Sequence, residues 1–348
     1  MQVEGYRTDA PDRPLQRVTF ERRELRPDDV AVRVEFCGVC HSDLHALHTP
    51  VEQGGVFPLV PGHEFVGEVT AIGTAVDAFA VGDPVAVGNI VDSCGQCRMC
   101  RTGQENFCTE FPTLTYAGRD RHDGSTTYGA YSSGYVVRDR FVYRRPETLD
   151  PAGTAPLLCA GITVWEPLRR WAVGPGTQLG VVGLGGLGHL AVKLGRALGA
   201  DVTVFTTSAG KADDARALGA THVVVSSEDT AMADQADRFD LVIDTVAVPH
   251  DLGPYLRTVG LDGTLCSLGY LGPVTVETTS LLVGRKSLSS AGSGGREHTQ
   301  ELLEFCGEHG ITADVEVLPS AQVGTALDRL TRGDVRYRFV LDLSDLRD

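Results

Sequence analysis

Short runs in which apolar and polar residues alternate occupy the first part of the chain, and Gly and Pro break them at close intervals. Val30-Ala31-Val32-Arg33-Val34, Gly67-Glu68-Val69-Thr70-Ala71-Ile72 and Asp83-Pro84-Val85-Ala86-Val87 are the clearest. A period of two with this punctuation predicts short strands, and a series of them predicts a barrel-like β domain. No helical stripe competes until about Ala155. From there the period changes. Gln178-Leu179-Gly180-Val181-Val182 reads as a buried strand, followed by a Gly-rich turn and a helix over His189–Leu198. Strands then fall at Asp201–Phe205, His222–Val225, Asp240–Val246 and Gly263–Leu268, with helices at Lys211–Leu218 and Leu252–Val259. Strands alternating with helices predict a doubly wound parallel sheet. After about Ser290 the pattern loosens, leaving one helix near Thr299–Glu308 and a terminal strand near Tyr337–Leu343. The fold class is therefore α/β with a β-rich lobe, an α/β lobe and a return segment.

Composition narrows what such a chain can do. At 348 residues two domains are the natural expectation, and 42% apolar with 22% charged residues suits an ordinary packed core. A formal charge of −15 argues against nucleic acid or an anionic membrane as partner. No charged-then-apolar leader and no bilayer-length apolar run is seen, and nine cysteines, an odd number, suit a reducing compartment. A cytoplasmic protein is expected. Lysine occurs only at 193, 211 and 286, so the place of each is informative.

Four of the nine cysteines, Cys94, Cys97, Cys100 and Cys108, crowd into one loop. Thiolates spaced two residues apart can bind one ion, and four of them close a tetrahedral structural zinc site with no open position. A redox centre needs only one such pair, and iron–sulfur centres usually keep other spacings. This zinc would pin a lobe, at about residues 92–110, and do no chemistry.

Gly183-Leu184-Gly185-Gly186-Leu187-Gly188 follows a predicted strand and opens a predicted helix. In that context G-x-G-x-x-G predicts a dinucleotide site: a tight turn, close approach of the pyrophosphate, close packing of helix on strand. The next strand ends in Thr206-Thr207-Ser208, with Lys211 close behind. NAD enzymes normally carry an acid there, and Asp201 is at the wrong end of the strand. Hydroxyls and a lysine suit a 2′-phosphate instead, so NADP(H) is the expected dinucleotide.

Cys40, His63 and Cys159 offer a second metal set. A catalytic zinc takes three protein ligands and keeps one position open, and two thiolates with an imidazole cancel its charge. Cys37-Gly-Val-Cys40-His41 also fits the haem-attachment and redox patterns, but haem attachment needs export and neither accounts for His63 or Cys159. Cys37, Cys266 and Cys306 read as inert buried cysteines.

Together these motifs resemble the zinc-containing medium-chain alcohol dehydrogenases, closest to the cinnamyl alcohol dehydrogenase-like branch. The likeness covers nearly the whole chain and is carried by Gly38–Asp43, Gly62-His63-Glu64-x-x-Gly67, the four-cysteine lobe, Cys159–Thr163 and Gly183–Gly188. It implies a GroES-like β-barrel catalytic domain over 1–155 and 291–348, and a Rossmann NADP-binding domain over 156–290. It implies two zinc ions per chain, with Cys40, His63 and Cys159 on the catalytic one and Glu64 as an exchanging fourth ligand. Asp43 would orient His63, Ser42 would pass the hydroxyl proton through the nicotinamide ribose to His45, and Arg336 would reach the pyrophosphate. The implied activity is hydride transfer between NADP(H) and an aldehyde or primary alcohol, aromatic or medium-chain. NADPH reduction of an iminium or conjugated C=C bond is the rival chemistry on this scaffold. The resemblance also implies a homodimer. Two departures stand out: Asn89 in place of a cysteine, and Tyr128-Gly129-Ala130-Tyr131 in place of a Gly-Gly-Tyr, both near where the family shapes its substrate pocket.

Overall fold

A computed structural model describes residues 1–269 and 271–346. The chain divides into two compact units, one made of Met1–Cys159 with Gly294–Asp348, the other of Ala160–Ser293.

The first unit is built around one long strand. Asp29–Val39 pairs antiparallel with Phe65–Ile72 on one side, and on the other with Gly134–Arg138 along one half and Arg338–Asp342 along the other. The sheet continues through Pro84–Val87 to Tyr143–Arg144 at one end and to Val315–Pro319 at the other. Alternate residues Val30, Val32 and Val34 are wholly buried with Phe65, Val69, Val85, Phe339 and Leu341. Each such side chain contributes about 1.5–3 kcal/mol by leaving water. That energy fixes the register, because a one-residue slip would turn every one of them outward. The register has a chemical consequence. Cys37 lies opposite Phe65, so the end of one strand, at Cys40, meets the start of the next, at His63 and Glu64.

The second unit is a six-stranded sheet whose pairings are all parallel. Its order is His222–Val225, Asp201–Thr206, Gln178–Val182, Phe239–Asp244, Val259–Ser267, Ser287–Ser290. Gln178–Val182 therefore sits where the strand order reverses, the place at which doubly wound sheets leave a crevice beyond their strand ends. Val182, Phe205, Phe239, Val242 and Leu265 form the core of one face. The helix Gly188–Ala197 follows the central strand after the Gly-rich turn.

Two sequence expectations need correction. A helix, His41–His48, forms well before Ala155. It is short and buries only Asp43 and Leu47, so no apolar stripe announces it. The return segment holds two helices rather than one, Arg296–His309 and Val323–Thr331. The second packs Val323, Ala326, Leu327 and Leu330 inward, a helical spacing masked in the sequence by the surrounding glycines and charges. Among the described residues no helix is long and apolar enough to cross a membrane.

Candidate zinc and dinucleotide sites

Cys40 ends the central strand and stands at the N-cap of His41–His48; His63 lies just before Phe65–Ile72; Cys159 follows the buried turn Ala155–Leu158. The fold gathers these three, and their ligand atoms all lie within 4.8 Å of one another. Cys40 Sγ is 3.9 Å from Cys159 Sγ, and His63 Nε2 is 3.3 Å from Cys159 Sγ. Two thiolates on one tetrahedral zinc stand about 3.8 Å apart, and thiolate and imidazole about 3.6 Å. The donors fit the ion.

Asp43 controls the imidazole. Its carboxylate is fully buried, and Oδ1 accepts from His63 Nδ1 and from the Gly62 N–H, both at 3.1 Å. With Nδ1 so engaged, Nε2 keeps its lone pair for a metal. Burial disfavours a charged His63, but Asp43 and Cys40 together outweigh it and the net shift is upward. At Cys40 the hydrogen bond from Cys159, opposed by burial and helped by Arg338 and His63, favours the thiolate.

Glu64 is the second carboxylate of the site. It is completely buried, neither oxygen has a hydrogen-bond partner among the described residues, and Oε1 lies 3.5 Å from Arg338 Nε. Burial, partly opposed by Arg338, pushes its pKa up to about 7. Two orphaned buried oxygens beside a thiolate pair suit a group that exchanges at an open metal position. Gly38 makes room for it, since a Cβ there would fall 2.2 Å from Oε1. Ser42 is exposed on the first turn of its helix with Oγ 3.7 Å from Cys40 Sγ; His45, three residues on, is also exposed. Positions i and i+3 share one helix face.

Sequence reasoning missed three residues here. Arg338, 3% exposed, is the buried cation of the return segment, whereas Arg336 is exposed. Tyr116 packs edge-on against the His63 ring at 5.6 Å. Tyr131 donates from its hydroxyl to Asp43 Oδ2 at 3.1 Å. None belongs to a metal or cofactor motif, and only Tyr131 left a trace, as an irregular Gly-Ala-Tyr.

Cys94, Cys97, Cys100 and Cys108 form the other cluster. Cys97 Sγ is 3.4 Å and Cys94 Sγ 3.9 Å from Cys100 Sγ, again close to the spacing on one zinc. Backbone N–H groups of Cys100 and Thr109 pull the Cys97 thiol down to about 5. None of the nine cysteines is in a disulfide.

In the second unit Gly183 turns with φ +87°, and a Cβ on Gly188 would fall 2.1 Å from the Gly183 carbonyl oxygen. Both positions demand glycine. A Cβ on Gly185 would meet nothing within 4 Å, so space is open where a pyrophosphate would approach. Leu184 is buried, while Gly186 and Leu187 are half-buried in the turn. Thr206 is buried and its Oγ1 accepts from Ser208 N at 3.2 Å; Thr207 and Ser208 are exposed. Lys211 Nζ donates to the Leu184 carbonyl at 3.3 Å, which places the ammonium beside the glycine turn. Asp201 lies at the far end of the strand, near Arg238 at 3.7 Å.

Residues 26–147 match the family described as Alcohol dehydrogenase GroES-like domain, and residues 186–308 the family described as Zinc-binding dehydrogenase. The aldehyde reductase YahK of Escherichia coli (strain K12) is 44% identical, with all of both chains covered. The solved structure of cinnamyl alcohol dehydrogenase SbCAD4 from Sorghum bicolor superposes with a TM-score of 0.95 at 42% identity, again over all of both chains. CAD from Helicobacter pylori, solved in complex with NADP(H), gives 0.91 at 33% identity, covering 100% of this chain and 99% of that one. The β-rich unit is thus a GroES-like domain and the parallel sheet a Rossmann-type one, and the chain belongs to the zinc-containing medium-chain alcohol dehydrogenases, in the branch that holds the cinnamyl alcohol dehydrogenases.

Proposed function

We propose that the protein is a zinc-dependent alcohol dehydrogenase that works mainly as an NADPH aldehyde reductase on aromatic or medium-chain aldehydes. The gathering of Cys40, His63 and Cys159 into one tetrahedral donor set, with Ser42 at its edge, carries this reading. When bound, zinc supplies a Lewis acid for a carbonyl oxygen and NADPH supplies a hydride.

The chain's own residues do the rest. Cys40 and Cys159 hold the ion as thiolates, and His63 binds through Nε2 because Asp43 holds Nδ1. Glu64 stands ready as a displaceable ligand. Ser42 Oγ gives its proton to the oxygen of the forming alcohol and is resupplied from solvent by way of His45. In the other unit the N–H groups at Gly183–Gly188 receive the pyrophosphate, and Thr206, Thr207, Ser208 and Lys211 receive the 2′-phosphate. Arg336 is assigned to the pyrophosphate as well.

Cys94, Cys97, Cys100 and Cys108 hold a second, structural zinc. Nine reduced cysteines suit a cytoplasmic setting. A homodimer fits the edge strand Ser287–Ser290, near which Leu261, Leu282 and Val283 are exposed. The test is the initial rate of NADPH oxidation with cinnamaldehyde, NADH being run in parallel. A rate with NADPH well above that with NADH is expected. No rate with either, from protein holding two zinc ions, would reject carbonyl reduction.

A further inference from the structure

Four hydrogen bonds within 3.1 Å reach the Asp43 carboxylate, two at each oxygen, and the Tyr116 hydroxyl stands beside it. Gly62 N and His63 Nδ1 meet Oδ1, and Cys40 N meets Oδ2 at 2.9 Å. Those three belong to the segments that carry the metal ligands. The fourth donor does not. It is the hydroxyl of Tyr131, from the Tyr128–Tyr131 stretch that stood out in the sequence without an assigned task.

Tyr131 is held on every side. It is wholly buried, its N–H donates to the Pro61 carbonyl at 3.0 Å, and its carbonyl accepts from Tyr6 N at 2.8 Å. Its ring lies over Gly62, where a Cβ would come within 2.6 Å of Cδ1. Gly62 is therefore required twice, for its φ of +98° and for the ring above it. The hydroxyl consequently reaches Asp43 from a fixed point. Rotation of the carboxylate would carry Oδ1 away from Nδ1 and swing His63 Nε2 off the metal position. With the phenol in place, both oxygens are pinned by two donors each.

We propose that Tyr131 is a positioning residue for the zinc site: its hydroxyl locks Asp43, Asp43 aims His63, and the lock sets how firmly the metal is retained. The inference rests on the reading of Cys40, His63 and Cys159 as zinc ligands.

Zinc release from the fully loaded protein to an excess of a chromogenic chelator provides the test. Wild type should release two ions per chain in two phases, and loss of Cys40 by Cys40→Ser should remove one phase and so identify it. In Tyr131→Phe that phase should run about tenfold faster, the lower end of what outer partners of metal-bound histidines are worth. The other phase should not change, which also reports that the chain is folded. Tyr135→Phe is the control: Tyr135 is equally buried, but its hydroxyl donates to the Thr115 carbonyl at 2.7 Å, away from Asp43. A merely structural effect would appear in both variants. The Tyr131→Phe acceleration should also vanish in an Asp43→Ala background, where the phenol has nothing to hold. Release from Tyr131→Phe within twofold of wild type, an equal change in Tyr135→Phe, or an acceleration that persists beside Asp43→Ala would overturn the inference. A wild-type chain holding one zinc would instead overturn the metal reading on which it rests.

Discussion

The structural lobe is fastened to the return segment through Glu105, and removing that carboxylate should loosen the helix Arg296–His309. Glu105 is 3% exposed; Oε2 accepts from the Arg296 N–H at 3.0 Å, and Oε1 lies 3.5 Å from Arg296 Nη1. The helix N-cap is Gly295, which has no side chain to satisfy the first N–H groups, so the lobe supplies the cap. Gly295 must be glycine for the lobe to come so close, since a Cβ would sit 1.6 Å from the Gly103 carbonyl oxygen. A hydrogen bond to a charged acceptor is worth about 1.5–3 kcal/mol. The ion pair adds at most about 1 kcal/mol, because the Arg296 side chain is 29% exposed and screened. Glu105→Ala should therefore cost the helix start about 1.5–4 kcal/mol, and Glu105→Gln, which keeps an acceptor, about half. Amide hydrogen exchange of the zinc-loaded protein reads this directly: the first turn of the helix should exchange at least about tenfold faster in Glu105→Ala. Selective loss of the lobe zinc should produce the same change at the same amides. An acceleration below threefold, or one spread evenly over both units, would refute the coupling.

Lys211→Ala should raise KM for NADPH about 10–30-fold, the lower end of what one charge-assisted ammonium–phosphate hydrogen bond is worth, and leave KM for NADH within twofold. Equal changes with both cofactors would remove Lys211 from the 2′-phosphate site. Ser42→Ala should lower kcat about a hundredfold with little change in KM, and an unaltered kcat would reject the relay. At Asp120 burial raises the pKa, but the Arg26 guanidinium and the backbone N–H groups of His122 and Asp123 prevail and leave it at about 2, below the ordinary 3.8. Its contribution to stability is thus complete above pH 3.8 and is lost as pH falls through 2. Acid titration of unfolding in Asp120→Asn should show a shallower limb across that window, and an unchanged limb would assign acid sensitivity elsewhere.

What the sequence discloses here depends on how local the physics is. The glycine turn was legible because each glycine answers a constraint set by neighbours in the chain, as at Gly183 and Gly188. The four-cysteine lobe was legible because its donors lie close together in sequence. Cys40, His63 and Cys159 could be proposed only because their short surroundings match a family, since nothing local says that strand register brings Cys40 beside His63. The partners of Arg338 and Tyr131 were illegible for the same reason. An arginine in a terminal strand and a tyrosine in an irregular loop acquire their partners only when distant segments pack. The helix His41–His48 was missed because it is held by its capping at Cys40 and Asp43, not by an apolar stripe.

The central claim is that Cys40, His63 and Cys159 hold the zinc at which a carbonyl is reduced. Metal content and NADPH–cinnamaldehyde activity measured on the same preparations of wild type and His63→Ala test it most directly. The account predicts two zinc ions per chain in wild type, one in His63→Ala, and less than about 1% of the wild-type rate in the variant. A His63→Ala protein that keeps full activity, or keeps both ions, would contradict it.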